Sequence, residues 1–263
     1  MVFFMLIILS PSKRKKFSDK IMTDPFLKKY LDQPKWISKA GKIADIMRSY
    51  SPSELAEVLK VSDTIAVKEA GYFEEWNVKA VQPETQPGVF SYDGDVYRAL
   101  NARDMTEKEW AWLNDHLRIL SALYGISKPF DLIQPYRLEF HSTKVRPDGM
   151  SLYDYWQKPI MDSINDELEK MDDPVLVNLA SEEFSKAVDV KKLKGKMITP
   201  VFQEMREGGA KVIGLYAKKA RGLMTRYAAK NGIDDVERLK AFDTGGYAFH
   251  EKTSTDSVWV FRR

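Results

Sequence analysis

The chain has 263 residues, 44% apolar and 30% charged, which is enough to bury a full core and lacks the bias of a disordered or fibrous protein. The formal net charge of +3 is too small to mark a nucleic-acid binder by itself. No cysteine is present, which excludes disulfides, thiolate metal sites and cysteine nucleophiles and suits a reducing cytoplasm.

Charge is unevenly distributed. Residues 1–60 carry twelve Lys/Arg against six Asp/Glu, whereas residues 151–185 carry nine acids against two lysines. A basic side of this kind is an electrostatic footprint for polyanions.

The apolar run Phe4-Met-Leu-Ile-Ile-Leu9 stops at Ser10-Pro11 and reads as a central strand covered on both faces. The stretch from Val2 to Leu9 is too short for a membrane span, and its cations Lys13, Arg14, Lys15 and Lys16 follow the apolar run where a signal peptide places them first. Met5 is an alternative native start. Residues 25–75 read as helical, with one helix over 34–49, a second opening at Ser51-Pro-Ser-Glu54 and a third from about Thr64 to Glu74. The last two make a helix-hairpin-helix candidate over about 53–73. Its joint Val61-Ser-Asp-Thr64 has no glycine, so a packed helix pair without a ligand is the other reading.

Pro83, Pro87 and Gly88 mark a loop before the turn Asp93-Gly-Asp95, whose two carboxylates suit cation binding or base chemistry as well as plain turn formation. Thr106-Glu-Lys-Glu109 is an N-cap pattern, and Trp110, Leu113, Leu117, Leu120 and Leu123 extend the expected helix, or helix pair, to residue 124, with Gly125 ending it. Tyr136-Arg-Leu-Glu139 alternates as a strand does, placing Arg137 and Glu139 on one face as an ion pair or, in a pocket, freeing Arg137 for an anion. A helix from Leu152 to about Met171 follows, then strands at 175–179, 197–202 and 211–216 and short strands near 247 and 258. The elements give an α+β protein, a single compact domain with a mixed β-sheet flanked by helices, with no flexible linker to divide it.

The helix from Tyr216 to Tyr227 carries Lys218, Lys219, Arg221 and Arg226, and no acid stands between Lys211 and Lys230. Leu215, Leu223 and Tyr227 are expected to face the core. The cations form a phosphate surface or pair with acids from elsewhere in the fold. His116, His141 and His250 lack partners at metal-binding spacing, so no metal site and no cofactor is expected. There is no Gly-x-Ser-x-Gly elbow, Walker loop or Gly-x-Gly-x-x-Gly, which removes support for a serine hydrolase, a nucleotide hydrolase or a dinucleotide redox enzyme.

Six blocks together resemble the YaaA family of bacterial peroxide-stress proteins. They are Leu6-Ile-Ile-Leu-Ser-Pro-Ser-Lys13, Tyr92-Asp-Gly-Asp-Val-Tyr97, Leu117 to Gly125, Asp131 to Glu139, Asn178-Leu-Ala-Ser-Glu-Glu-Phe184 and Tyr216 to Arg226. The resemblance implies a cytoplasmic protein that limits damage from unincorporated iron and binds double-stranded DNA through a positive cleft and a helix-hairpin-helix. Lys13, Lys218, Lys219, Arg221 and Arg226 match basic family positions. Two functions remain open. The first, favoured by both the charge distribution and the resemblance, is a binder of duplex or branched DNA, using residues 13–16 and the 218–226 helix. The other is an enzyme on a small phosphorylated or nucleotide-like substrate, with Asp95, Tyr97, Arg137, Asn178 and Ser181 in the same cleft.

Overall fold

The computed structural model describes residues 5–17, 24–80 and 84–263, so residues 1–4 at the head of the expected first strand lie outside the described residues. In chain order the first half holds β1 (Met5–Leu9), α1 (Ile37–Arg48), α2 (Pro52–Leu59), α3 (Asp63–Glu75), β2 (Gln86–Pro87), α4 (Gly88–Ser91), α5 (Asp95–Leu100), α6 (Glu107–His116), β3 (Leu117–Ser121), β4 (Gly125–Ser127) and β5 (Leu132–Ile133). The second half holds α7 (Leu152–Leu168), β6 (Val175–Asn178), α8 (Glu182–Ser185), β7 (Lys196–Arg206), β8 (Gly209–Lys211), α9 (Gly214–Lys230), β9 (Ala248–Phe249) and β10 (Val258–Arg262).

The main sheet runs β4-β3-β1-β6-β7-β10-β9, with β8 folded back on the end of β7. The strands from β3 to β10 along this order are mutually parallel, and β4 and β9 close the two edges antiparallel. All five residues of β1 and all four of β6 are buried, as parallel strands covered on both faces require. α7 packs on β1 and β4, while α6 and α9 pack on β1 and β7 respectively. A mixed sheet flanked by helices in one compact domain is therefore observed.

Local chemistry sets most boundaries. At Ser51 and Thr106 both halves of a capping box form, Thr106 N donating to Glu109 Oε2 at 2.6 Å and Glu109 N to Thr106 Oγ1 at 3.3 Å. The helix expected to reach residue 124 instead ends at His116, and Leu117 turns directly into a strand. Leu117, Leu120 and Leu123 fit a helical spacing, yet every residue of Leu117–Ser121 is buried between β1 and β4, a contiguous burial that a one-sided helix cannot give. Gly125 thus opens β4, with φ of +70° and its Cα so near Trp156 that a Cβ would lie 2.3 Å from the indole.

The strand expected over 211–216 is also replaced. Only Gly209–Lys211 pairs with β7, and Gly214, Leu215 and Tyr216 form the first turn of α9. Val212 and Leu215 remain 56% and 49% exposed, so the apolar run there was not a sign of burial. Leu223 and Tyr227 pack partly against the core as expected, but the face α9 buries is small: Ala217, Ala220, Gly222, Met224 and Ala228.

α2 and α3 do pack together, joined at Lys60 in the left-handed region with φ of 53°. The amides of Lys60 and Val61 are spent on Glu57 O and Ala56 O. A DNA-binding helix-hairpin-helix is not confirmed by this pair.

Small residues on α9 permit close approach to α5. A Cβ at Gly222 would lie 2.0 Å from the Val96 carbonyl oxygen and 3.0 Å from Ala99 Cβ. Backbone cannot rotate away as a side chain can. Gly222→Ala should therefore lower stability by about 2 kcal/mol despite alanine's better helix propensity. Denaturant unfolding reads this as a lower midpoint; an unchanged midpoint would show that the α5–α9 contact is slack.

Candidate functional site: a cation-lined cleft at the carboxyl ends of the parallel strands

From the end of β1 the chain departs toward β3, and from the end of β6 it departs toward β7, so the two connections separate on opposite sides of one strand pair. Such a divergence opens a crevice above the sheet. Ser10 and Ser181 meet at its base, Ser181 N donating to Ser10 Oγ at 2.7 Å with the two hydroxyls 3.1 Å apart. A cleft of about 380 Å³ lies there, walled by the 10–15 loop, the Asp93–Tyr97 turn and the 136–139 segment, with Lys218 and Arg221 reaching in from α9.

The Asp93-Gly-Asp95 turn is fixed rather than free. A Cβ at Gly94 would stand 2.6 Å from Ser12 Oγ, so glycine lets the turn close against the loop after β1. Asp93 accepts from Arg98 Nε at 2.7 Å and Nη2 at 2.9 Å, and these bonds hold its pKa below the usual range. Asp95 stays in the cleft at the first turn of α5. Tyr97 donates to Ser10 O at 2.8 Å, and burial drives its pKa well up, so it serves the site as a neutral phenol.

Three cations lie deeper than an ordinary surface allows. Lys15 Nζ donates to Ser12 O at 3.0 Å and Tyr136 O at 2.6 Å, 3.8 Å from the Tyr136 ring centroid. Burial pushes its pKa down to about 7, with Glu69 opposing the shift and Arg137 adding to it. Among the described residues Arg137 Nε is buried without a hydrogen-bond partner. Arg221 is partly buried, desolvation lowers its pKa, and its guanidinium has no hydrogen bond or ion pair among the described residues. Glu69, buried on α3, is pushed up by desolvation and keeps an unpartnered Oε2. The α2–α3 pair thus contributes a buried acid beneath the cleft.

The expected pairing of Arg137 with Glu139 does not form. Residues 136–140 run outside any sheet, and Glu139 turns to Lys13 and to His141, whose Nε2 is 3.0 Å from Glu139 Oε2. Glu183 faces His141 Nδ1 at 3.0 Å and accepts from Phe140 N at 2.9 Å. Among the described residues Glu139, His141 and Glu183 are one group able to surround a cation, their ligand atoms within 4.8 Å of one another. Each imidazole nitrogen of His141 stands 3.0 Å from a carboxylate oxygen, and Lys13 lies against Glu139.

The cleft gathers Lys13, Arg14, Lys15, Asp95, Tyr97, Arg137, Ser181, Lys218 and Arg221 of the residues singled out in the sequence. Asn178 sits below it on β6, accepting from Ala180 N at 3.1 Å and approaching Thr199 Oγ1 at 3.4 Å, and so supports the loop. Lys16 and Lys219 are exposed outside it. Arg226 faces elsewhere, donating to Leu100 O at 3.0 Å and Asn101 O at 2.8 Å, carbonyls at the end of α5. Sequence reading missed Glu69, an acid on an amphipathic helix with no motif around it. It also missed the acidic group, for which the Glu139-x-His141 spacing was the only signal.

An α/β protein with a cation-lined cleft at the diverging ends of its central parallel strands is the class that fold and site define. Within that class the chain belongs to the family described as Peroxide stress protein YaaA, whose family model matches residues 5–253. It is 42% identical over 259 residues to a UPF0246 protein of Aliivibrio fischeri strain MJ11, covering 98% of both chains. Identity is 40% to UPF0246 proteins of Janthinobacterium sp. strain Marseille and of Ralstonia nicotianae, over 98% of this chain and 98% and 99% of those proteins. Among the described residues no helix is long and apolar enough to cross a membrane.

Arg226, as a clamp on α5, should matter to stability and not to ligands. Arg226→Met should cost about 1–3 kcal/mol through the loss of charged hydrogen bonds. Any phosphate binding that the parent shows should be kept by the variant at a temperature where it is folded; a loss of binding with unchanged stability would return Arg226 to the site.

Proposed function

We propose that the cleft binds a phosphorylated or nucleotide-like small ligand and that the protein serves peroxide stress through that ligand. The observation that carries this reading is the pair Arg137 and Arg221, two guanidinium groups at one cleft that form no ion pair among the described residues, with the buried Glu69 acting on Arg137 only at longer range. A partly desolvated guanidinium left unpaired is costly, and an anion with several oxygens satisfies two such forks at once. Lys218, exposed at the mouth and without an ion pair among the described residues, adds a mobile charge. Asp95, Tyr97 and Ser181 supply a carboxylate, a phenol and a hydroxyl beside that anion, the set expected of an enzyme acting on it.

A second reading rests on the exposed Arg14, Lys16, Lys218 and Lys219, none of which has an ion pair among the described residues. These cations suit the spaced phosphates of duplex or branched DNA. Protection from unincorporated iron would then act at DNA itself. The depth of Arg137 and Arg221 within a cleft of about 380 Å³ favours the small ligand, since a duplex backbone meets the outermost cations of a surface.

Thermal shift and calorimetry with inorganic phosphate, adenosine monophosphate and adenosine triphosphate, beside anisotropy on a short duplex across a salt series, separate the two. A nucleotide should raise Tm and bind with one site, and Arg221→Met should weaken it at least about tenfold, as loss of a charged hydrogen-bond pair implies. Duplex binding that is steep in salt, with no response to any small phosphate, would overturn the small-ligand reading in favour of DNA.

A further inference from the structure

We infer that Lys15 is the reactive amine of the cleft, a nucleophile toward the carbonyl carbon of an anionic aldehyde or ketone. The anionic part of that ligand rests on the proposed anion binding by Arg137 and Arg221, whereas the reactivity of the amine does not.

Among the described residues Lys15, Lys39 and Lys240 are the lysines that are not exposed; Lys39 lies over the Tyr155 ring, 3.8 Å from its centroid, and Lys240 is bound to Glu237 at 2.6 Å. Lys15 stands apart in having only neutral acceptors within hydrogen-bond reach, the carbonyls of Ser12 and Tyr136. An uncharged amine has two N–H bonds and one lone pair. Two carbonyl acceptors match the two N–H bonds and leave the lone pair as the remaining position. An ammonium would present a third N–H there.

The surroundings bring the uncharged form within reach at neutral pH, although the Tyr136 ring 3.8 Å from Nζ favours the ammonium. Burial disfavours the ammonium and Arg137 repels it, with Glu69 as the opposing charge, and desolvation beside another cation is a recognised way to make a lysine nucleophilic near neutrality. Lys15 lines the same cleft as Arg137 and Arg221, so a ligand whose anionic group meets the guanidiniums can place a carbonyl against the amine. In the step, the nitrogen lone pair forms a bond to the carbonyl carbon and the C=O π electrons move to oxygen. A proton passes from nitrogen to that oxygen, and loss of water leaves the imine. No oxidant or reductant takes part.

Pyridoxal 5′-phosphate carries an aldehyde and a phosphate, and pyridoxal carries the aldehyde alone. The full-length protein is treated with each, reduced with borohydride, which delivers hydride to the imine carbon, and the modified lysines are located by peptide mass spectrometry. Pyridoxal 5′-phosphate should modify Lys15 at least about tenfold faster than the exposed lysines. Labelling of Lys15 should rise about tenfold between pH 6 and pH 8 and then level off, as a group titrating at about 7 does, while exposed lysines gain reactivity toward pH 10. Arg221→Met should slow labelling by pyridoxal 5′-phosphate and leave labelling by pyridoxal unchanged. Equal labelling of Lys15 by the two aldehydes would keep the reactive amine and sink the anion-binding reading. Labelling confined to exposed lysines, with Lys15 unmodified by either aldehyde, would overturn the inference itself.

Discussion

β1 is held by a parallel strand on each side, and its five side chains are fully buried. Everything above the sheet depends on that constraint, because the chain leaving at Ser10 has a fixed origin and a neighbour, Ser181, leaving β6 in the opposite sense. Two loops that part from adjacent strands cannot fill the space between them with backbone. The crevice is therefore a property of strand order, and the residues of the two loops become its floor whatever their chemistry.

That chemistry is cationic where the fold could have avoided it. α9 buries alanines and glycine against α5, and this close contact brings Arg221 into the cleft instead of toward solvent. Arg226, about one turn later, clamps the end of α5 and so holds the turn that carries Asp95 and Tyr97. One helix thus supplies both a cleft-facing charge and the brace for the opposite wall. The two arginines look alike in sequence and differ because one meets carbonyl oxygens and the other meets open space.

The strand β1, the helix start at Ser51, the cap at Thr106 and the cationic character of α9 were legible, since a continuous apolar run, a first-turn proline, a Thr-x-x-Glu pattern and an absence of acids are local signals. The cleft set was legible mainly through family blocks, which placed residues 10–13, 92–97, 131–139, 178–184 and 216–226 together without showing why. The change from helix to strand at His116 was not legible, because Leu117 and Leu120 satisfy a helical period as well as a buried strand. Nor was the start of α9, where Val212 and Leu215 imitate a strand while standing exposed. Glu69 is beyond local reading altogether. It meets Lys15 and Arg137 only when a helix from one segment packs beneath loops from two others.

The central claim is that a phosphate group sits between Arg137 and Arg221. A crystal structure of the protein grown with adenosine monophosphate tests it most directly. The expected result is phosphate oxygens about 3 Å from both guanidinium groups, inside the cleft above Ser10 and Ser181. A nucleotide held only by the exposed lysines of α9, with Arg137 and Arg221 contacting none of it, would contradict the account.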